Sequence, residues 1–302
     1  ISEMSGGRLS VKVYGANELV PAFEVFDAVS RGTAEMGHGA AYYWKGKNEA
    51  FQFFSTVPFG LTAQEMGGWL YYGGGLEMWR EAYAPFKVIP APAGNTGVQM
   101  GGWFNKEINS LSDLKGLKMR IPGLGGEVLK RLGGTPVNLP GGELYTALTS
   151  GTIDATEWVG PFNDLAFGLH KAAKYYYYPG FHEPGTTLEA AINKEAFDQL
   201  PDDLQAIVLN ACRAVNQDMV AEYAARNPGA LRQLVEDHNV QVRSYPRDVF
   251  EQLRKVSGEV VAEIAERDDF SRKVYASYSK FLEDSRSFSK ISDLSYLQAR
   301  DT

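Results

Sequence analysis

The sequence predicts an α/β chain of two lobes with a ligand cleft between them and a helical C-terminal region. Three observations carry this. A β-α-β rhythm runs to about residue 200, the pattern turns mainly helical beyond it, and no long polar linker separates the parts. A chain of 302 residues fits roughly two domains at about 150 residues each. With 44% hydrophobic and 22% charged residues it has the composition of a packed globular protein rather than a disordered or fibrous one.

The elements follow in order. Leu9-Ser10-Val11-Lys12-Val13-Tyr14 alternates as a strand does, and 20–31 reads as a helix ending at Arg31-Gly32-Thr33. Residues 34–39 form a short strand with small residues at its end. A helix over 63–83 is weakened by glycines at 67–68 and 73–75, and 86–90 is the next strand. Residues 97–104 read as a strand that pauses at two glycines. Ser110–Gly116 is a capped helical turn, and 117–122 is a strand. The rhythm repeats with a helix over 126–132, a strand over 136–139, a helix over 142–150 capped by Gly151, and a strand over 153–158. Strands at 174–179 and 187–193 follow, and a helix starts at 194. Beyond residue 200, segments 201–226, 229–238, 246–267 and 269–290 are helical, with a strand at 239–244.

Charge and composition exclude several functions. The net charge is −7, and no more than two basic residues are adjacent, so nucleic acid is not an expected partner. An acidic protein binds an anion only through a local arginine or a bound cation. No apolar run approaches the ~20 residues of a membrane span, and the first residues lack the basic and apolar regions of a signal peptide, so the chain reads as soluble. The one cysteine, Cys212, lies in the apolar rhythm of Ile207, Leu209 and Val215 and reads as core. Four scattered histidines and one cysteine leave no zinc motif and no His–Cys pair.

Individual residues then stand out. Arg120 sits mid-strand among apolar neighbours, where a guanidinium needs a partner. That partner is either an internal carboxylate or the carboxylate of an acid ligand. Asp154 and Glu157 lie at a strand's C-terminal end, where open α/β folds bind ligands. They read equally as backbone caps or as part of a hard-cation site. Gln99 offers a bidentate amide but reads first as structural, Tyr42-Tyr43-Trp44 as core aromatics, and Phe181–Gly185 as a solvent-exposed turn. The glycine-rich pieces at 123–126 and 140–142 match no phosphate loop, and no nucleophile elbow is present. The residues alone give a two-lobed protein with a candidate anion site and no catalytic signature.

The stretch Leu114-Lys115-Gly116-Leu117-Lys118-Met119-Arg120-Ile121-Pro122-Gly123, with Leu132–Pro140, Glu143–Leu148 and Gly151–Trp158, closely resembles TRAP-transporter solute-binding proteins of the DctP type. Glu157–Pro161 and Tyr178–Gly185 resemble the branch that takes 2-oxo acids and related monocarboxylates. The resemblance implies a periplasmic-binding-protein-like fold and a periplasmic receptor, not an enzyme, that closes on a small 2-oxo or 2-hydroxy monocarboxylate and serves a TRAP membrane permease. It further implies that Arg120 grips the substrate carboxylate, with Gln99, Trp158 and Phe181 beside it. Glu157, Trp158 (through its carbonyl) and Glu183 would hold a bridging cation, sodium or calcium. On this basis lobe I covers 1–98, continued by about 190–240, lobe II covers 99–189, and 241–302 forms C-terminal helices. The amphipathic segment 269–290 either packs on its own chain or crosses to a second protomer in a homodimer.

Two departures from the family pattern are expected to matter. Relatives begin with a strand and most of a helix ahead of Gly6-Gly7-Arg8, and without them the first lobe's sheet would have a gap. Phe181 stands where a tryptophan is expected. Two rival readings are a receptor for a dicarboxylate or sugar acid without metal, with Lys118 as the second cationic group, and a metal-dependent enzyme built on Asp154, Glu157 and Glu183.

Overall fold

The structure is a computed structural model in which residues 1–301 are described. Its strands are β1 (Met36–Gly39), β2 (Val88–Asn95), β3 (Gly102–Phe104), β4 (Lys118–Arg120), β5 (Thr135–Val137), β6 (Ala155–Thr156), β7 (Tyr175–Tyr178), β8 (Thr187–Asn193) and β9 (Gln241–Ser244). They form two sheets. The smaller has the order β1-β8-β2 and is antiparallel; the larger has the order β5-β4-β6-β3-β7-β9 and is mixed. Parallel pairing of β5, β4 and β6 follows from the helices Gly123–Arg131 and Leu144–Thr149, which carry the chain back between successive strands. The chain enters the small sheet with β1 and β2, builds five strands of the large one, returns for β8, and crosses again for β9. Several connections therefore join the two halves. β9 belongs to the large sheet, so the segment from 241 onward does more than supply helices.

Three sequence expectations need correction. Residues 9–14 form no strand: Val13 is 84% exposed, and no described strand pairs with the segment. Alternation makes a strand only where a neighbour takes up the hydrogen bonds. The strand expected over 97–104 begins only at Gly102, because Met100 N–H is taken by Val159 O and Gly102 has φ +120°. The helices expected over 201–226 and 229–238 are one 35-residue helix, Asp202–Glu236, that runs through Pro228. Proline inside a helix costs about 3 kcal/mol. Burial at both ends offsets that cost. Val208 and Cys212 pack beneath the small sheet with Ala91 and Ala190, while Leu234 packs beneath the large one with Trp103 and Tyr176. The helix is thus a strut of about 50 Å, at 1.5 Å per residue, spanning both sheets.

The largest apolar cluster also crosses between the halves. It joins Phe51, Phe54, Trp69 and Trp79 to Met119, Ile121 and Val128, and to Val249, Val260, Val274 and Tyr278 of the helices Arg247–Ala265 and Asp269–Ser289. Tyr278 accepts from Leu61 N–H at 2.8 Å, so the segment expected to pack or to cross is packed on its own chain along this face. No helix among the described residues is long and apolar enough to cross a membrane.

Glu189, on β8, is fully buried and accepts from Trp44 Nε1 at 2.6 Å and from Tyr83 OH at 2.7 Å. Burial pushes its carboxyl from 4.5 up to about 7, against the two hydrogen bonds. A raised carboxyl pKa means the folded state holds the proton that the unfolded state has released. The ionisation penalty is therefore absent below about pH 4.5 and grows as pH rises through about 7, to about 3 kcal/mol. Thermal unfolding should accordingly show a lower melting temperature at pH 8 than at pH 5, and Glu189→Gln should flatten that slope.

Candidate functional site

The site is built where the C-terminal ends of β4 and β6 lie side by side. Arg120 and Thr156 are in register on parallel strands, so Glu157, one residue further on, leaves the sheet next to the arginine. Arg120 is 1% exposed, and three of its donors are used. Nε donates to Leu139 O at 3.1 Å, Nη2 donates to Tyr43 OH at 2.7 Å, and Nη1 donates to Glu157 Oε1. The Trp158 ring covers the guanidinium with its centroid at 5.4 Å. Burial opposes the arginine's charge, but Tyr43 and Glu157 outweigh it and hold the group protonated.

A second carboxylate faces the first. Glu183 is 2% exposed and its Oε2 accepts from Gln99 Nε2 at 2.7 Å and Thr186 Oγ1 at 2.6 Å. Its loop is held by non-local backbone bonds: Gln99 N–H to Glu183 O, Gly180 N–H to Gln99 O, and Phe59 N–H to Phe181 O. Glycine is required at 180, because a Cβ there would lie 2.5 Å from Gln99 O. His182 Nε2 sits 3.4 Å from the second oxygen of Glu157. One ligand atom each from Glu157, His182 and Glu183 lies within 4.8 Å of the others. Burial, reinforced by repulsion from Glu157, pushes Glu183 up to about 7, against His182, Thr186 and Arg120. Burial and the charge of Glu183 also raise Tyr42 well above the usual phenol value.

Several buried polar atoms here have no hydrogen-bond partner: Gln99 Oε1, Trp158 Nε1 and His182 Nδ1. Buried groups of this kind are ordinarily satisfied, so they call for a ligand. Two carboxylates and a free amide oxygen are hard donors of the type that sodium or calcium takes. The donor set fits such a cation.

The sequence-predicted residues Gln99, Arg120, Glu157, Trp158 and Glu183 thus come together. Phe181 does not join the polar groups. Its ring packs on Phe59 and Tyr245 in the apolar core and edge-on to His182, forming the wall behind the acids. Asp154 is a backbone brace that accepts from Lys118 N–H at 2.9 Å, and Lys118 itself is exposed at the start of β4. The turn expected to be solvent-exposed is buried at Phe181, His182 and Glu183. His182, expected in an exposed turn, Tyr43, expected as a core aromatic, and Thr186, which no motif marks, are all polar members of this site. Glu183 is next to His182 in the chain, but Glu157, which the His182 Nε2 faces, lies 25 residues earlier.

The Glu157–Gly160 segment has its own anchor. Asp164, fully buried, accepts from Trp103 Nε1 (2.9 Å), Tyr176 OH (2.7 Å) and Val159 N–H (3.1 Å). Asp164→Ala strands two buried donors and a partly buried one and should destabilise the fold by about 3 kcal/mol or more, read by denaturant unfolding.

Comparison with known proteins gives a consistent result. The model of the family described as bacterial extracellular solute-binding protein, family 7 (DctP), matches residues 1–268. The monocarboxylate 2-oxoacid-binding periplasmic protein of Nostoc sp. (strain PCC 7120) is 46% identical over 296 residues, covering 98% of this chain and 81% of that protein. The TRAP periplasmic solute binding protein of Pseudoalteromonas atlantica T6c, solved with bound sodium and pyruvate, is 47% identical with a TM-score of 0.94. The match covers 98% of this chain and 90% of that one. A TRAP transporter solute binding protein of Bordetella bronchiseptica RB50 was solved as a mixed-occupancy dimer, with calcium and picolinate in its occupied site. It is 38% identical with a TM-score of 0.97, covering 99% of this chain and 89% of that one. With the family model matching most of its length and a 2-oxoacid-binding periplasmic relative 46% identical over nearly all of it, the chain belongs to the DctP family of bacterial extracellular solute-binding proteins, which are receptors.

Proposed function

We propose that this receptor binds a small 2-oxo monocarboxylate, with pyruvate as the type, together with sodium or calcium, in the periplasm and for a TRAP permease. The observation that carries this is the buried cluster of one arginine, two carboxylates and an unpartnered amide oxygen. Arg120 takes the ligand carboxylate through its fork of N–H groups. Glu157, Glu183 and the Trp158 carbonyl hold the cation, with Gln99 Oε1 turned toward cation and ligand. The cation supplies positive charge that lets a small acid enter a site already lined by two carboxylates.

Burial does the rest. Trp158 and Tyr43 exclude water from the guanidinium, which strengthens its pairing with a carboxylate. Phe181 acts at one remove, backing His182 from the apolar core. We read 1–98, continued by about 190–240, as lobe I and 99–189 as lobe II. β8 between β1 and β2 supports the first assignment, while β9 makes the large sheet reach past 240.

A metal-free dicarboxylate receptor would need a second cationic side chain beside Arg120, and Lys118, the nearest in sequence, is exposed at the far end of its strand. Calorimetry separates the readings. Pyruvate should bind saturably in sodium or calcium and succinate should not. Tight succinate binding in chelator would instead establish the dicarboxylate reading.

A further inference from the structure

Arg120 is already satisfied by the protein itself. Its Nη1 pairs with Glu157, a carboxylate 1% exposed and held at the end of the neighbouring strand by Glu157 N–H to Arg120 O at 3.2 Å. We infer that Glu157 is an internal stand-in for the ligand carboxylate, so that the protein without a cation is closed to the acid by its own side chain. The inference rests on the proposed function and goes further, since it makes Glu157 a switch as well as a ligand.

Charge balance governs the site. A buried guanidinium without a counter-ion is costly, and Glu157 provides that counter-ion. An incoming carboxylate would have to share the guanidinium with Glu157, and two carboxylates side by side in a dry site repel by several kcal/mol. Glu157 has somewhere else to go. Its second oxygen already faces His182 Nε2 at 3.4 Å, on the side where Glu183 lies, itself held by the Gln99 amide nitrogen. Drawn to that side, Glu157 leaves Nη1 free while Tyr43 and Leu139 continue to hold the rest of the guanidinium in place. Glu183 has no hydrogen bond to Arg120 and serves only the cation side.

The two carboxylates therefore make opposite predictions in cation-free buffer. Wild-type protein, chelated and kept in choline salt, should show no saturable pyruvate binding by calorimetry. Glu157→Gln removes the competing charge but keeps the shape, and should bind pyruvate in that buffer at least about tenfold more tightly than wild type. Added sodium or calcium should no longer improve its binding. Glu183→Gln leaves the Arg120–Glu157 pair intact and should gain nothing. If Glu157→Gln fails to fold, Glu157→Asp, shorter by one methylene, should give a smaller gain of the same sign. Pyruvate should also raise the melting temperature of the Glu157 variant, but not that of wild type, without cation. A folded Glu157 variant that binds pyruvate no better than wild type without cation overturns the switch and leaves the receptor reading standing. Failure of wild type to bind pyruvate with sodium or calcium overturns the receptor reading itself.

Discussion

Arg120→Lys is expected to weaken pyruvate binding by about 100-fold or more, although the charge is kept. A lysine is a point donor on a flexible stem and cannot form two parallel bonds to a carboxylate. Here the guanidinium also satisfies Leu139 O and the Tyr43 hydroxyl, and lies against the Trp158 ring. A lysine reaches one of these at a time. Losing one partner of a buried charged pair typically costs 2–5 kcal/mol, and about 3 kcal/mol corresponds to the stated loss of affinity. Calorimetry at saturating calcium measures it, and an unchanged circular dichroism spectrum shows that the fold survives. Affinity within threefold of wild type would mean that the acid is anchored elsewhere.

Glu183→Gln should separate binding from stability. The variant loses one of the two carboxylates assigned to the cation, so cation-dependent pyruvate binding should fall by about 100-fold, at the upper end of the losses seen when a metal site's supporting groups are altered. Its stability should move the other way. The Glu183 carboxyl is pushed up to about 7 by burial and by Glu157, so holding it ionised above neutral pH costs about 3 kcal/mol relative to an ordinary carboxylate at 4.5. In chelated buffer the variant should be more stable than wild type at pH 8 and no more stable at pH 5, where both folded and variant forms are neutral at this position. Denaturant unfolding at the two pH values reads the difference. A variant less stable at both would show that the Gln99 and Thr186 hydrogen bonds outweigh the buried charge.

The parts of the fold that the sequence made legible are those where neighbours in the chain are neighbours in the sheet. Between residues 110 and 158 each strand is followed by a short helix closed by glycine, and the β4, β5 and β6 arrangement follows from that punctuation. Arg120 was legible for the same reason, as a lone cation in an apolar strand. Long-range partners were not. Residues 9–14 alternate as a strand but lack a partner, and Pro228 reads as a break although packing on both sheets carries the helix through it. His182 looks like part of an exposed turn because its burial depends on bonds from Phe59 and Gln99, both more than eighty residues earlier. The role of Tyr43 is likewise invisible locally: its hydroxyl meets Arg120 across 77 positions.

The shape of the site depends on these distant contacts more than on any motif. Trp44, next to Tyr43, is pinned by buried Glu189 on β8, and Val159, next to Trp158, is pinned by buried Asp164. Each clamp places a residue that touches Arg120 from a different side. The arginine is thereby oriented by both halves of the molecule.

The positions of the acid and the cation are decisive. A crystal structure of the protein grown with calcium and pyruvate answers this directly. The expected result is calcium bonded to oxygens of Glu157 and Glu183 at about 2.3–2.6 Å, with the pyruvate carboxylate forked on Arg120 where Glu157 Oε1 now lies. Calcium held by other residues, or pyruvate bound with Glu157 still paired to Arg120, would contradict it.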